Sequence, residues 1–148
     1  MARRRERAAR KVKASTRRRD TGPTADTRIL VVLRAHGCCE YCGRLLLRAD
    51  GTWTGDHSIH HRQPRGMGGS SLSAANSPAN LLLLCGSGTT GCHGYLERYR
   101  TQAEQDGWIV RHGLDPADVP VAVFQGGAGS GVAQVLLTVD GDYAEVAA

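Results

Sequence analysis

Aromatic side chains are scarce in this chain, which has one Phe, two Trp and four Tyr among 148 residues. A core with so few large rings is small, and a small core calls for an added cross-link. Long apolar runs are missing as well. The best candidates, Ile29–Leu33 and Leu81–Cys85, fall far short of the roughly 20 residues of a membrane-spanning helix, so no membrane role is expected. The opening "MARRRERAARKVKASTRRRD" lacks the apolar stretch of a secretory signal. The chain is therefore expected to act in the cytoplasm, where thiols stay reduced. "GGAGSG" lacks the Lys-Ser/Thr that completes a phosphate-binding P-loop. No internal repeat and no base-reading helix-turn-helix pattern is present.

What is present is unevenly charged. Residues 1–28 hold eleven Lys and Arg against three Asp and Glu, while the other 120 residues hold eight against eleven. The net charge of +5 thus belongs to a basic N-terminal arm, 1–26. Such an arm is expected to be disordered and to favour polyanions. A central segment, 27–107, carries the chemistry-bearing residues, and 108–148 forms an extension. Within the centre, Asp26 or Thr27 is placed to cap a helix running to about Ala35, with Ile29, Leu30, Val32 and Leu33 on its apolar side. "RLLLRADGTWTGDHSIHH" reads as extended chain with a turn at Asp50-Gly51. Residues 62–78 are rich in Gly, Ser and Pro and read as a long loop. "ANLLLLC" is a buried strand, and "CHGYLERYRTQAEQDG" is a helix stopped by Gly107. "VPVAVFQ" and "VAQVLLTVD" predict a β-hairpin. The fold class is α+β.

The five cysteines ask for a metal before a disulfide. Cys39-x2-Cys42 has knuckle spacing, Cys85-x6-Cys92 supplies a second pair, and Gly43 suits the turn after the first. Four thiolates satisfy a closed tetrahedral structural Zn2+ site, the staple that a small core lacks. A thioredoxin-type redox pair is disfavoured because the helix pattern around such a pair is absent. Cys38 is left as a packed free thiol.

Two histidines then stand side by side in "SIHHRQPRGMGG". Adjacent residues on a strand point to opposite faces, so one can hold a metal while the other faces water. Taken in order, "CEYCG", "IHHRQPRGMGG", "NLLLLC" and "CHGYLE" resemble the HNH endonuclease family over roughly residues 27–107. The likeness is greatest to the stand-alone type found in tailed phages and their actinobacterial hosts. That resemblance implies a ββα-metal finger with a four-cysteine zinc site, which hydrolyses DNA phosphodiester bonds with a divalent ion such as Mg2+, Mn2+ or Ni2+. It implies that His61, with two residues between it and the following Pro64, is the general base and that Asn80 orients it through its amide. His60 and His93 match the metal ligands. Some members carry a further histidine four residues beyond the His93 position. Here that residue is Glu97, which is either a third ligand through oxygen or an exposed helix glutamate. Asp56-His57 resembles the Asp-His form of the same motif but lacks the proline spacing, so Asp56 is read as a turn residue and His57 as structural or close to substrate. His36 and His112 are read as ordinary surface or packing residues.

The expected partner is double-stranded DNA. Arg62, Arg65, Arg98 and Arg100 are candidate phosphate contacts, a solvated helix face being the alternative for Arg98 and the preferred reading of Arg100, and the arm adds affinity without sequence choice. The resemblance further implies association with phage terminase subunits or the portal during DNA packaging. The rival reading is a zinc-stapled module that binds DNA or a terminase partner without catalysis.

Overall fold

The structure, a computed structural model, describes residues 22–64 and 72–147. Arg65 and most of the basic arm lie outside the described residues. The chain is a small mixture of helices and strands, in agreement with the α+β reading. Helix α1 (Ala25–Arg34) is followed by β1 (His57–His61), a single turn α2 (Leu72–Ala75), β2 (Leu81–Cys85), α3 (Gly91–Arg98), α4 (Arg100–Gln105) and the strands β3 (Val121–Gln125), β4 (Gly131–Leu137) and β5 (Tyr143–Glu145). Among the described residues no helix is long and apolar enough to cross a membrane.

Helix α1 starts earlier than its sequence suggested. The Thr24 hydroxyl accepts from the Thr27 amide at 3.2 Å, which leaves Asp26 in the first turn, where its charge complements the helix dipole. The inward face is also different. Val31, Arg34 and Ala35 are buried, whereas Ile29, Leu30 and Leu33 are exposed. Arg34 decides this. Its guanidinium finds its partners inside, donating from Nε and Nη2 to the two carboxylate oxygens of Glu40 (3.0 and 3.2 Å), from Nη1 to the Pro78 carbonyl and from Nη2 also to the Leu81 carbonyl. A buried cation unpaired from its carboxylate would cost far more than a few solvated aliphatic side chains.

Glu40 is itself a hub. Leu83 N–H and the Tyr143 hydroxyl donate to its carboxylate at 2.7 and 2.8 Å. Its backbone carbonyl accepts from Phe124 N–H, and its N–H donates to Leu83. Burial, then the adjacent carboxylate, push the Tyr143 phenol well above its usual range. One residue thereby ties α1 and β2 to the C-terminal sheet. Glu40→Ala is expected to cost about 3–5 kcal/mol, because Arg34 is left buried without its counter-charge. The paired variant Arg34→Met/Glu40→Leu should recover much of that loss. Urea midpoints decide it: a single variant within about 1 kcal/mol of wild type would mean the network is not a stabilising hub.

Strands β1 and β2 pair antiparallel, from His57 opposite Cys85 to His61 opposite Leu81. Every residue of β2 is buried, as its continuous leucine run requires. Upstream, the expected turn forms at Asp50-Gly51: Arg48 N–H bonds to Thr52 O, Asp50 Oδ1 accepts from the Thr52 amide and hydroxyl, and Gly51 has φ 82°. The helix expected as one piece is two, broken at Tyr99 (φ −110°, ψ 49°). The C-terminal hairpin is β3–β4, and β5, too short for a clear pattern, adds a third antiparallel strand. Val121, Val123, Val135 and Leu137 of this sheet share one core with Val31, Leu46 and β2.

Arg62 corrects a sequence expectation. It is wholly buried rather than available to DNA. Its guanidinium donates to the carbonyls of Gly107, Ala79, Pro116 and Val119. Burial, reinforced by the like charge of Arg34, lowers its pKa to about 10. Arg62 is a clamp that closes the chain after α4 onto the end of β1.

Candidate metal centres and the histidine cleft

Three elements deliver the cysteines. Cys39 and Cys42 come from the knuckle after α1, Cys85 ends β2, and Cys92 lies in the first turn of α3. Their sulfurs all lie within 4.8 Å of one another, and Cys42 and Cys85 are 4.0 Å apart. A tetrahedron with metal–sulfur bonds of about 2.3 Å places sulfurs about 3.8 Å apart, so this cluster can hold a metal ion. Backbone amides support the sulfurs, Cys85 N–H donating to Cys39 and Cys92 N–H to Cys85. The six-residue loop between the last pair closes because Gly86 and Gly91 both have positive φ; a Cβ on Gly86 would sit 2.1 Å from the Thr90 carbonyl.

Without a cation the cluster disfavours charge. Burial pushes the Cys39 thiol up to about 11, and burial with neighbouring thiolates pushes Cys92 up further. At Cys85 burial also pushes upward, but hydrogen bonds from Cys92 and the adjacent thiols outweigh it and the pKa falls. A divalent ion reverses this balance by stabilising all four thiolates together. Cys38 stands apart, half-buried, its thiol directed at the His36 carbonyl.

The second cluster is His60, His93 and Glu97, whose nearest ligand atoms also lie within 4.8 Å of one another. Glu97 Oε1 is 3.9 Å from His60 Nδ1 and 4.0 Å from His93 Nε2. The hydrogen bonds behind the rings set the tautomers. The Trp108 carbonyl can only accept, so His60 Nε2 carries the proton at 3.1 Å and the lone pair lies on Nδ1. The Ser58 hydroxyl gives its one proton to the Gly86 carbonyl. It must therefore accept from His93 Nδ1–H at 2.7 Å, leaving the His93 lone pair on Nε2. Both lone pairs face the Glu97 carboxylate, the arrangement in which outer partners orient metal-binding imidazoles. Burial, with the charge of His93 as a lesser cause, lowers the His60 pKa to about 3. Burial also lowers that of His93, against the pull of Glu97. The rings are thus neutral near pH 7, as ligands must be.

His61, the last residue of β1, shares a cleft of about 340 Å3 with His60, Pro64, His93, Glu97 and Arg100. The two neighbouring histidines differ as alternation requires, His60 being 1% exposed and His61 half-buried, yet both line the one cleft. His61 Nε2 lies 3.0 Å from Asn76 Oδ1. Asn80 does not reach the His61 ring. Its amide accepts from Gln63 N–H and donates to the carbonyls of Gln63 and Ala75. It holds the backbone two residues beyond His61, so any orienting effect passes through the main chain.

Arg100, read from sequence as part of a solvated face, lines the cleft and donates to Glu97 Oε2. Arg98 is exposed on α3. His57 stacks on Trp53, centroids 3.5 Å apart, and is not among the residues lining the cleft. Sequence reasoning missed Ser58, Asn76 and the Trp108 carbonyl, and it set Arg100 aside as a solvated residue. Ser58 was findable, since it lies two residues before His60 on one strand. Trp108 was not, lying 48 residues away with only its main chain engaged. Compared with protein-family models, curated proteins and solved structures, the chain matches none.

Proposed function

We propose that this chain is a metal-dependent DNA endonuclease of the HNH kind, with β1, β2 and α3 as a ββα-metal finger and zinc in the four-cysteine cluster. The observation that carries this reading is the convergence of His60 Nδ1, His93 Nε2 and Glu97 Oε1 in one cleft beside His61. Two nitrogens and one oxygen would hold a divalent ion with positions left open. Such an ion supplies Lewis-acid stabilisation of the scissile phosphate and the departing oxygen. The protein's own groups do the rest. His61 takes a proton from the attacking water. Asn76 Oδ1 accepts from Nε2–H, which assigns the proton-accepting lone pair to Nδ1. Asn80 fixes the backbone from which His61 projects. Arg100 brings a cation to the phosphate side of the cleft, its fork suited to anionic oxygens.

Supercoiled plasmid provides the test. The chain is expected to convert it to relaxed or linear forms with at least one of Mg2+, Mn2+ and Ni2+, and a chelator should stop the reaction. His93→Ala, isolated with the metal of its cysteine cluster in place, should lose cleavage. If wild type leaves the plasmid intact with every ion, the finger is a binding module.

A further inference from the structure

The Glu97 carboxylate is divided between two claims. Its Oε1 lies 3.9 Å from His60 Nδ1 and 4.0 Å from His93 Nε2. Its Oε2 accepts from Arg100 Nη1. Nitrogen and oxygen donors that share one ion, with bonds of about 2.1 Å, stand about 3.0–3.4 Å apart. Oε1 must therefore close by about half an ångström or more before it and both imidazoles can grip one ion. The group bonded to its other side is a cation.

Charge sharpens the conflict. Among the residues lining the cleft, Glu97 is the one carboxylate and Arg100 the one permanent cation. A divalent ion and Arg100 compete for that carboxylate and repel each other. A phosphate of DNA changes the balance. It offers Arg100 anionic oxygens that a guanidinium fork fits, and it brings negative charge to the ion. The pair is also free to exchange. The Arg100 and Glu97 side chains are 44% and 34% exposed, and an ion pair so open to water is weak. Arg34 and Arg62 differ in this respect, being buried among fixed partners.

We propose that Arg100 is a substrate-responsive latch on the metal site. Paired with Glu97, it keeps the affinity for a divalent ion low. A backbone phosphate of DNA draws Arg100 away and frees Glu97 to complete the site. Ion and DNA then bind with positive coupling, each raising the affinity for the other by the same factor. The chain thus holds its ion tightly only on DNA. The inference rests on the phosphodiester reading of the cleft for the identity of the anion.

The experiment measures Mn2+ binding through the electron paramagnetic resonance of the free ion. It uses the full chain with the metal of its cysteine cluster in place. Without DNA, Arg100→Gln should bind Mn2+ about three- to tenfold more tightly than wild type. On a Glu97→Gln background no carboxylate is left to free, and the same change should gain less than about twofold. A short DNA duplex, added on a His61→Ala background to slow cutting, should tighten Mn2+ binding and leave Arg100→Gln without its advantage. The proposal is overturned if Arg100→Gln binds Mn2+ no more tightly than wild type, which would make Arg100 a support for Glu97. It is overturned equally if the gain persists without the carboxylate, which would make charge alone the cause, or if the advantage survives on DNA. Plasmid left intact by every ion, with the duplex still erasing that advantage, would sink the nuclease reading and leave the latch standing. Plasmid cleavage with no gain from Arg100→Gln would do the reverse.

Discussion

His61→Ala is expected to lower the rate of plasmid cleavage by about 10²–10⁴-fold, the usual contribution of a positioned general base. The loss should fall on the chemical step, with the Kd for DNA near that of wild type. His61 ends β1 and is half-buried, so its removal opens no core cavity and the melting temperature should hold. Asn76→Ala should follow in the same direction with a smaller effect, because it leaves the imidazole in place but frees its tautomer and tilt. Added imidazole should restore part of the activity of His61→Ala and none of that of Asn76→Ala. Wild-type rates in the folded His61 variant would mean that the base has been assigned to the wrong group. His57 would be a poor replacement, stacked as it is on Trp53. The Glu97 carboxylate would then be examined next.

Stripping the metal from the four-cysteine cluster should have the largest effect on stability. The cluster joins the knuckle after α1, the end of β2 and the start of α3. Through Glu40, which lies inside the knuckle, it also bears on β3 and β5. In isolated zinc-finger peptides the bound ion contributes about 10–16 kcal/mol near pH 7. Here Cys39 and Cys85 belong to a larger apolar core that shares the load, so the loss should be smaller yet still comparable to the whole stability of a domain, about 5–15 kcal/mol. A strong chelator should therefore abolish the cooperative thermal transition, and Cys92→Ser should do the same without chelator. Thiol titration of the native protein should find Cys38 reactive and the other four protected until the metal is removed. A chelated protein that melts cooperatively within a few degrees of the untreated one would reduce the cluster to ordinary packing of thiols.

Legibility in the sequence tracked how local each determinant was. The Asp50-Gly51 turn depends on a carboxylate two residues from the amide it accepts and on a glycine's freedom at positive φ, and both were readable. So was β2, where an unbroken leucine run has no polar face to show to water. The cysteine spacings pointed to one cluster, and the sulfurs lie together. The face of α1 was misread because an apolar stripe was weighed by hydrophobicity alone. Arg34 overrode it through a carboxylate six residues on and two carbonyls more than forty residues away. Arg62 misled for the same reason, since a basic residue beside a histidine pair suggests phosphate until its donors are seen to end on main-chain carbonyls.

By itself, then, the sequence determined the mixed helix-and-strand class, the gathering of four cysteines, the extended segments before and after the loop, and the residue types available for a metal and a proton acceptor. These follow from spacing, alternation and turn chemistry, which act over a few residues. Only the tertiary structure decided which nitrogen of His60 and of His93 carries a proton, that Glu97 lies close to both rings, and that Arg100 belongs to the cleft. The physical reason is common to all of them. The free energy of a buried polar group is set by the partner it meets, and those partners arrive from distant parts of the chain, as the Trp108 carbonyl does at His60.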